Sequence, residues 1–385
     1  MSNTNQRCVW SMDTVKEIVN DLFCFDFILE IKRQMKNEES KAYLGNFLRT
    51  LAPVYIHEIS NALHRLGIIP KEQLLSPEYQ KLINSERQLS LKKIIVSSKE
   101  AEKAIADMGI NFKERVYDIR IAVNNNELYD LNFELQIAPV NDFDFWNFLF
   151  KLPRTMLKAA FSAISPDFIF EEIYTRNSNH LNDIAHRLDD LFSFSSYSYS
   201  AFRLFQHANT LEETDKIMIL YRYRMITSVG ILSQNFPSLH ATFGGEQIIN
   251  IDSFFRKYRA LVICIIGDEL QQLDTQFANQ LKSKINASID HPDFFRLNRK
   301  VRNNLHYETT NVLAESEMNI VHENQQLYLS VIEKSFRSCL HLDIDKECHV
   351  MTGFSEAFRK SGLSKEELDK HYYSYYLKYR ITGKL

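Results

Sequence analysis

In the last third of this 385-residue chain, Arg299-Lys-Val-Arg302-Asn303-Asn-Leu-His306 gathers two key guanidinium groups, two carboxamides and an imidazole into eight residues. Taken as a helix, at roughly 100° per residue, Phe294, Leu297, Val301 and Leu305 form one apolar stripe. Phe295, Arg299, Arg302 and His306 form a second stripe on its flank. Steps of three and four residues therefore set both arginines beside the histidine, at the border between core and solvent. Neighbouring cations repel each other and are comfortable only near an anion, such as a phosphate or a carboxylate. Two guanidinium groups also favour the neutral imidazole, which makes His306 a candidate general base. Asn303 and Asn304 lie off the stripe but close enough to offer amide hydrogen bonds.

At these residues the chain resembles the HEPN superfamily, helical-bundle proteins in which four to six residues separate an arginine from a histidine, often with a polar residue after the arginine. Six residues separate Arg299 from His306 and fit that spacing, whereas Arg302-Asn303 supplies the Arg-polar pair with only three residues before the histidine. The pattern is thus divided between two arginines. The resemblance implies metal-independent RNA cleavage, in a dimer that pairs two copies of the motif, with Arg299, Arg302, Asn303 and His306 as the catalytic set. His306 would handle the proton of the ribose 2′-hydroxyl, Arg299 or Arg302 would hold the scissile phosphate, and Asn303 would orient the group beside it. It implies no cofactor, RNA or a protein as partner, and a setting in bacterial stress, toxin action or phage defence. Many members of the superfamily are non-catalytic binders. The competing functions are accordingly a non-catalytic helical interaction module and a nucleotide-sensing regulator, each using the Arg/His stripe to bind an anion.

Blander readings stand beside each feature. The stripe could be a solvated flank paired with Asp268, Glu269 or Asp274. The spacing Arg-Asn-x-x-His recurs at Arg176-Asn177-Ser-Asn-His180, but there the histidine falls in the stripe of Ile169, Ile173, Ile184 and Leu191, as a core or interface histidine does. Arg256, Lys257 and Arg259, interleaved with Phe254, Phe255 and Tyr258, could touch phosphates while the rings stack on bases; Tyr221-Arg-Tyr-Arg224 has the same composition. Amphipathic packing, with arginine stems lying along rings, explains both runs more readily. His57-Glu58 and His64 have no third ligand, and the five cysteines show no CxxC spacing, so no metal site is expected. The tyrosine-rich stretch 372–379 has the composition of a docking helix for a second copy or a partner.

The elements that must position these groups follow from composition and period. Twenty-seven Phe and 18 Tyr beside 10 Gly and 8 Pro favour long helices with aromatic interfaces. The expected fold is mainly α, with multi-helix bundle domains and one β-hairpin in the N-terminal half. Its regions are 1–140, carrying the hairpin at about 116–137; 141–243, a central helical region; and 246–385, a HEPN-like helical bundle. The hairpin rests on strict alternation around Ile119, Ile121 and Val123 and again from Tyr129 to Ile137, with three asparagines between them. The serine-rich segment 193–200 reads as a loop. The apolar run 260–266 is too short to span a bilayer and fits a buried helix, and helices are expected near 246–266, 268–285, 292–307, 312–340 and 364–381. A net charge of −3 provides no global field for nucleic acid. With no basic-then-apolar leader at the start, the expected location is cytoplasmic, with reduced thiols and no membrane contact.

Overall fold

Helix α1 (Met12–Gln34) is enclosed by others: every residue from 18 to 29 is buried, polar Asn20, Asp21 and Asp26 included. Ile18, Leu22, Phe23, Phe25, Phe27, Ile28 and Ile31 are all buried. The protein is described here in a computed structural model covering residues 12–70, 77, 116–124, 127–134, 143–164, 170–191, 193–200, 205, 210–236, 242–243, 246–247, 250–307, 313–340, 350–364, 367, 375, 379 and 384–385. It is mainly α, as the composition predicts.

Around α1 pack α2 (Glu38–Arg65), α3 (Phe143–Ile164) and α4 (Phe170–Leu191). Phe23 meets Phe161 edge-on at 5.4 Å and Phe27 meets Tyr174 edge-on at 5.2 Å. Asp26 lies buried on α1, where Arg154 Nε donates to it at 2.9 Å and the Tyr174 hydroxyl adds a second bond. Asp189 on α4 accepts from the backbone amides of Lys36 and Asn37, at 2.7 and 3.3 Å. It satisfies the turn between α1 and α2, a positioning role rather than that of a free surface charge. Gly67, at φ +74, ends α2, with Gly67 N donating to His64 O at 2.8 Å and Ile68 N to Leu63 O at 2.9 Å.

Extended segments β1 (Val116–Asn124), β2 (Glu127–Glu134) and β3 (Ser193–Ser200) pair antiparallel in the order β2-β1-β3. The backbone of β3 replaces the loop expected from its serine content. Its alternation of serine with Tyr197 and Tyr199 has the period of a strand, a signal that composition concealed.

The rest of the bundle comprises α5 (Glu213–Asn235), α6 (Ile251–Gln272), α7 (Gln276–Ser288), α8 (Phe294–Asn303), α9 (Glu315–Arg337) and α10 (Val350–Ser361). A single 3-10 turn, Asn304–His306, extends α8. Helix α6 lies against α1, α5, α8 and α9, and its segment 260–266 is largely buried, as expected. One apolar cluster includes Ile18 and Leu22, Leu157 and Ile219, and Phe254, Ile266 and Ile332, so the three regions distinguished in the sequence share a continuous core.

The helix break expected near residue 267 falls instead at 273–275. Gly267 is accommodated inside α6, and the start of α7 is set by Thr275. Its hydroxyl accepts from Ala278 N at 3.0 Å and donates to the buried Asp215 at 2.7 Å. Thr275→Ala is expected to cost about 1–2 kcal/mol, through loss of the cap and of Asp215's donor. A urea titration that shows no drop in midpoint would contradict this. Among the described residues, no helix is long and apolar enough to cross a membrane.

Candidate functional site

The first stripe of α8 is where periodicity puts it: Phe294, Leu297, Val301 and Leu305 are all buried. Phe295 and Arg299 are exposed on the second stripe, and Arg302 and His306 are half-buried. Asn298, 1 % exposed, fixes the helix to its neighbours. Its amide donates to Ala260 O on α6 at 3.3 Å, and its carbonyl accepts from Gln325 Nε2 on α9 at 2.9 Å.

The end of α8 decides where the histidine points. The helix tightens over Asn304–His306 and stops at Tyr307, which adopts φ 50 and ψ 24, the left-handed region that side chains other than glycine rarely occupy. The Tyr307 hydroxyl compensates by donating to Asp21 Oδ2 on α1 at 2.6 Å, in a fully buried position. Asp21 is in turn 2.7 Å from Lys257 Nζ, which also lies 2.5 Å from Glu17 and 5.6 Å from the centre of the Tyr307 ring. Burial works against the Lys257 ammonium, but Asp21 and Glu17 outweigh it and raise its pKa. Burial is also the main influence on the Tyr307 phenol, pushing it well above the ordinary range and keeping it a donor.

His306 is held from three sides. Its Nδ1 is 3.0 Å from Glu58 Oε2 on α2, its Nε2 is 2.9 Å from Arg302 Nη1, and its carbonyl accepts from Arg65 Nη2 at 2.6 Å. A guanidinium has donors only, so Nε2 must be the acceptor in that contact. For Arg302 to donate there, the ring proton belongs on Nδ1, facing Glu58. Arg302 Nη1 also reaches Asn303 Oδ1 at 3.4 Å. The Arg299 side chain makes no hydrogen bond or ion pair among the described residues. Burial raises the pKa of the Cys264 thiol on α6, while the charges of Arg302 and Arg299 act against that rise.

Two of the three acidic partners expected for the stripe are engaged elsewhere, while Asp268 is exposed on α6. Glu269 forms a buried two-point pair with Arg222, and Asp274 accepts from Asn279 Nδ2 at 3.0 Å. The carboxylate that reaches His306 is Glu58, which sequence spacing had weighed only as a metal ligand. Nothing within one chain's spacing connects α2 to a motif more than two hundred residues away.

The basic run on α6 requires a correction. Lys257 is 3 % exposed and clamped between Glu17 and Asp21, and so is removed from any contact with nucleic acid. Phe254, Phe255 and Tyr258 belong to the core and cannot stack on bases. Arg256 and Arg259 remain half-buried at the surface. In the look-alike motif, Arg176 pairs with Glu172 at 2.8 Å on an exposed face, and half-buried His180 lies on the helix whose Ile173 and Ile184 enter the core. The arrangement at Arg299, Arg302 and His306 can attract an anion and present an oriented imidazole to it. The chain matches no known family model, no curated protein and no solved structure.

Proposed function

We propose that this protein is a metal-independent ribonuclease of HEPN type that cuts RNA at the Arg302–His306 site. The observation that supports this reading is the chain Glu58, His306, Arg302, which joins a carboxylate, an oriented imidazole and a guanidinium group at hydrogen-bond distances. A backbone phosphate drawn in by Arg299 and Arg302 would take the guanidinium N–H now directed at Nε2. The freed Nε2 would then lie beside the phosphate, within reach of the adjoining ribose.

In the reaction, Nε2 accepts the 2′-hydroxyl proton while Glu58 holds Nδ1–H and steadies the imidazolium that forms. The 2′-oxygen bonds to phosphorus and the bond to the 5′-oxygen breaks, leaving a 2′,3′-cyclic phosphate. The 5′-oxygen takes a proton from solvent, and His306 returns its own to solvent. Arg299 and Arg302 stabilise the charge on the phosphoryl oxygens, with the Asn303 amide beside them. The same reading places two copies of the chain in a dimer, acting in bacterial stress, toxin action or phage defence.

The full chain is expected to fragment single-stranded RNA in EDTA and to leave DNA of the same sequence intact. Cutting that depends on added divalent metal would contradict the proposal. Glu58→Gln is expected to slow cutting about 100-fold or more by loosening the tautomer and the ring orientation. Nitrogen NMR of His306 should show one Nδ1–H tautomer in the parent and a mixture in the variant; an unchanged tautomer with an unchanged rate would remove Glu58 from the mechanism.

One observation favours a second reading. Arg302 occupies the Nε2 lone pair at 2.9 Å, as it would in a module that only holds an anion. Tight RNA binding without cleavage by the assembled protein would select that module.

A further inference from the structure

Helices α6 and α9 meet along a second cationic surface, composed of groups the cleavage site does not use. Arg256 and Arg259 lie one turn apart on α6, both half-buried, and neither pairs with a carboxylate among the described residues. Arg259 Nε reaches only Gln325 Oε1, at 3.5 Å, the outer limit of a hydrogen bond. Arg256 Nε is shut off from solvent without an acceptor among the described residues, an arrangement that proteins normally avoid. Exposed His322 on α9 completes the group, with Gln326 Nε2 donating to its Nε2 at 3.2 Å. His322 stands three residues before Gln325, the residue that Arg259 reaches, and burial together with the charges of Arg259 and Arg256 lowers its pKa.

The carboxylates facing this group are Asp252, Glu323 and Glu17. Glu17 is occupied by Lys257, and Asp252 and Glu323 are exposed to solvent. Gln325 holds the surface to the rest of the bundle, donating to Arg256 O at 3.3 Å and to Asn298 Oδ1 at 2.9 Å. Two guanidinium groups, one with an unsatisfied N–H, and an imidazole are therefore held near one another, with carboxylates in the neighbourhood but none in direct ion-pair contact with either arginine among the described residues. Since the rings of Phe254, Phe255 and Tyr258 are in the core, a ligand here would be recognised by its charge and not by its bases.

We propose that Arg256, Arg259 and His322 form a phosphate subsite that holds the RNA backbone away from the cleavage residues. The proposal rests on the RNA reading above. It predicts binding that is indifferent to sequence and steeply dependent on salt.

The test uses the full chain and a fluorescent single-stranded RNA methylated at every 2′-oxygen, which cannot be cut by 2′-hydroxyl attack. Anisotropy titrations over a range of salt concentrations give the affinity and its salt slope. Arg256→Gln/Arg259→Gln is expected to weaken binding about tenfold at low salt and to reduce the slope by about 0.7–1.4, the loss of one or two phosphate contacts. Asp252→Asn, an exposed change that removes a nearby negative charge, should tighten binding. Parent-like affinity and slope in both variants would overturn the subsite while leaving the His306 site standing. No binding of the oligonucleotide by the parent would overturn both. A parallel melting experiment with inorganic phosphate separates the sources of the anion. If phosphate stabilises the parent but not the double variant while RNA binding is the same for the two, the site holds free phosphate and the RNA assignment is wrong.

Discussion

Lys257→Met is expected to destabilise the protein by about 3–5 kcal/mol, the usual consequence of leaving a buried charge without its partner. Lys257 is the only cation within ion-pair distance of Asp21 among the described residues, and Asp21 is fully buried beneath the left-handed Tyr307. Removing the ammonium also removes the cation above the Tyr307 ring, and with it part of what fixes the end of α8. The double variant Lys257→Met/Asp21→Asn is expected to regain much of the loss, since it no longer buries an uncompensated carboxylate there. Denaturant titrations of parent, single and double variants check this; equal midpoints for parent and single variant would contradict it.

The pH dependence has a definite sign. The folded protein holds the Lys257 proton above the ordinary value of 10.5, so the stability it contributes is fully present below pH 10.5. It is lost as the pH rises through the higher folded value, where the difference between parent and Lys257→Met should shrink. A gap that widened with rising pH over that range would reverse the assignment.

His306→Ala is expected to reduce RNA cleavage by a factor of about 10²–10⁴, the contribution typical of a positioned general base. The cost in stability should be far smaller, about 1–3 kcal/mol, because the side chain is partly exposed and the principal loss is Glu58's hydrogen-bond donor. His180→Ala is the matched control, since it removes the histidine from the same Arg-Asn-x-x-His spacing on α4 and should leave cleavage unchanged. Comparable losses from both substitutions would show that the motif at Arg302 has no special role.

The parts of the site that local periodicity controls were legible in the sequence. Burial of Phe294, Leu297, Val301 and Leu305 follows from helical phase alone, as does the flanking position of Arg302 and His306. What orients the histidine was not legible, because Glu58, Arg65 and Asp21 come from helices far away along the chain. Nor did the sequence mark Tyr307 as left-handed, since its support is a hydrogen bond to α1. Lys257 was misread for a related reason. Next to Arg256 and Arg259 it resembles part of a basic surface, yet helical rotation turns it towards Glu17 and Asp21, and a buried lysine becomes intelligible only with its partners in view. The helix break at Thr275 was not legible because the Asp215 bond that anchors Thr275 is tertiary. The mainly α architecture was legible from the abundance of Phe and Tyr and the scarcity of Gly and Pro.

The chemistry assigned to His306 leaves a signature on its product. Attack by a 2′-hydroxyl without metal must give fragments ending in a 2′,3′-cyclic phosphate on one side and a 5′-hydroxyl on the other. Mass spectrometry of a single-stranded RNA incubated with the full chain in EDTA reads those termini directly. Cyclic phosphate and 5′-hydroxyl ends, lost in His306→Ala, are the predicted result. Uncut RNA, or fragments carrying 3′-hydroxyl and 5′-phosphate ends, would contradict it.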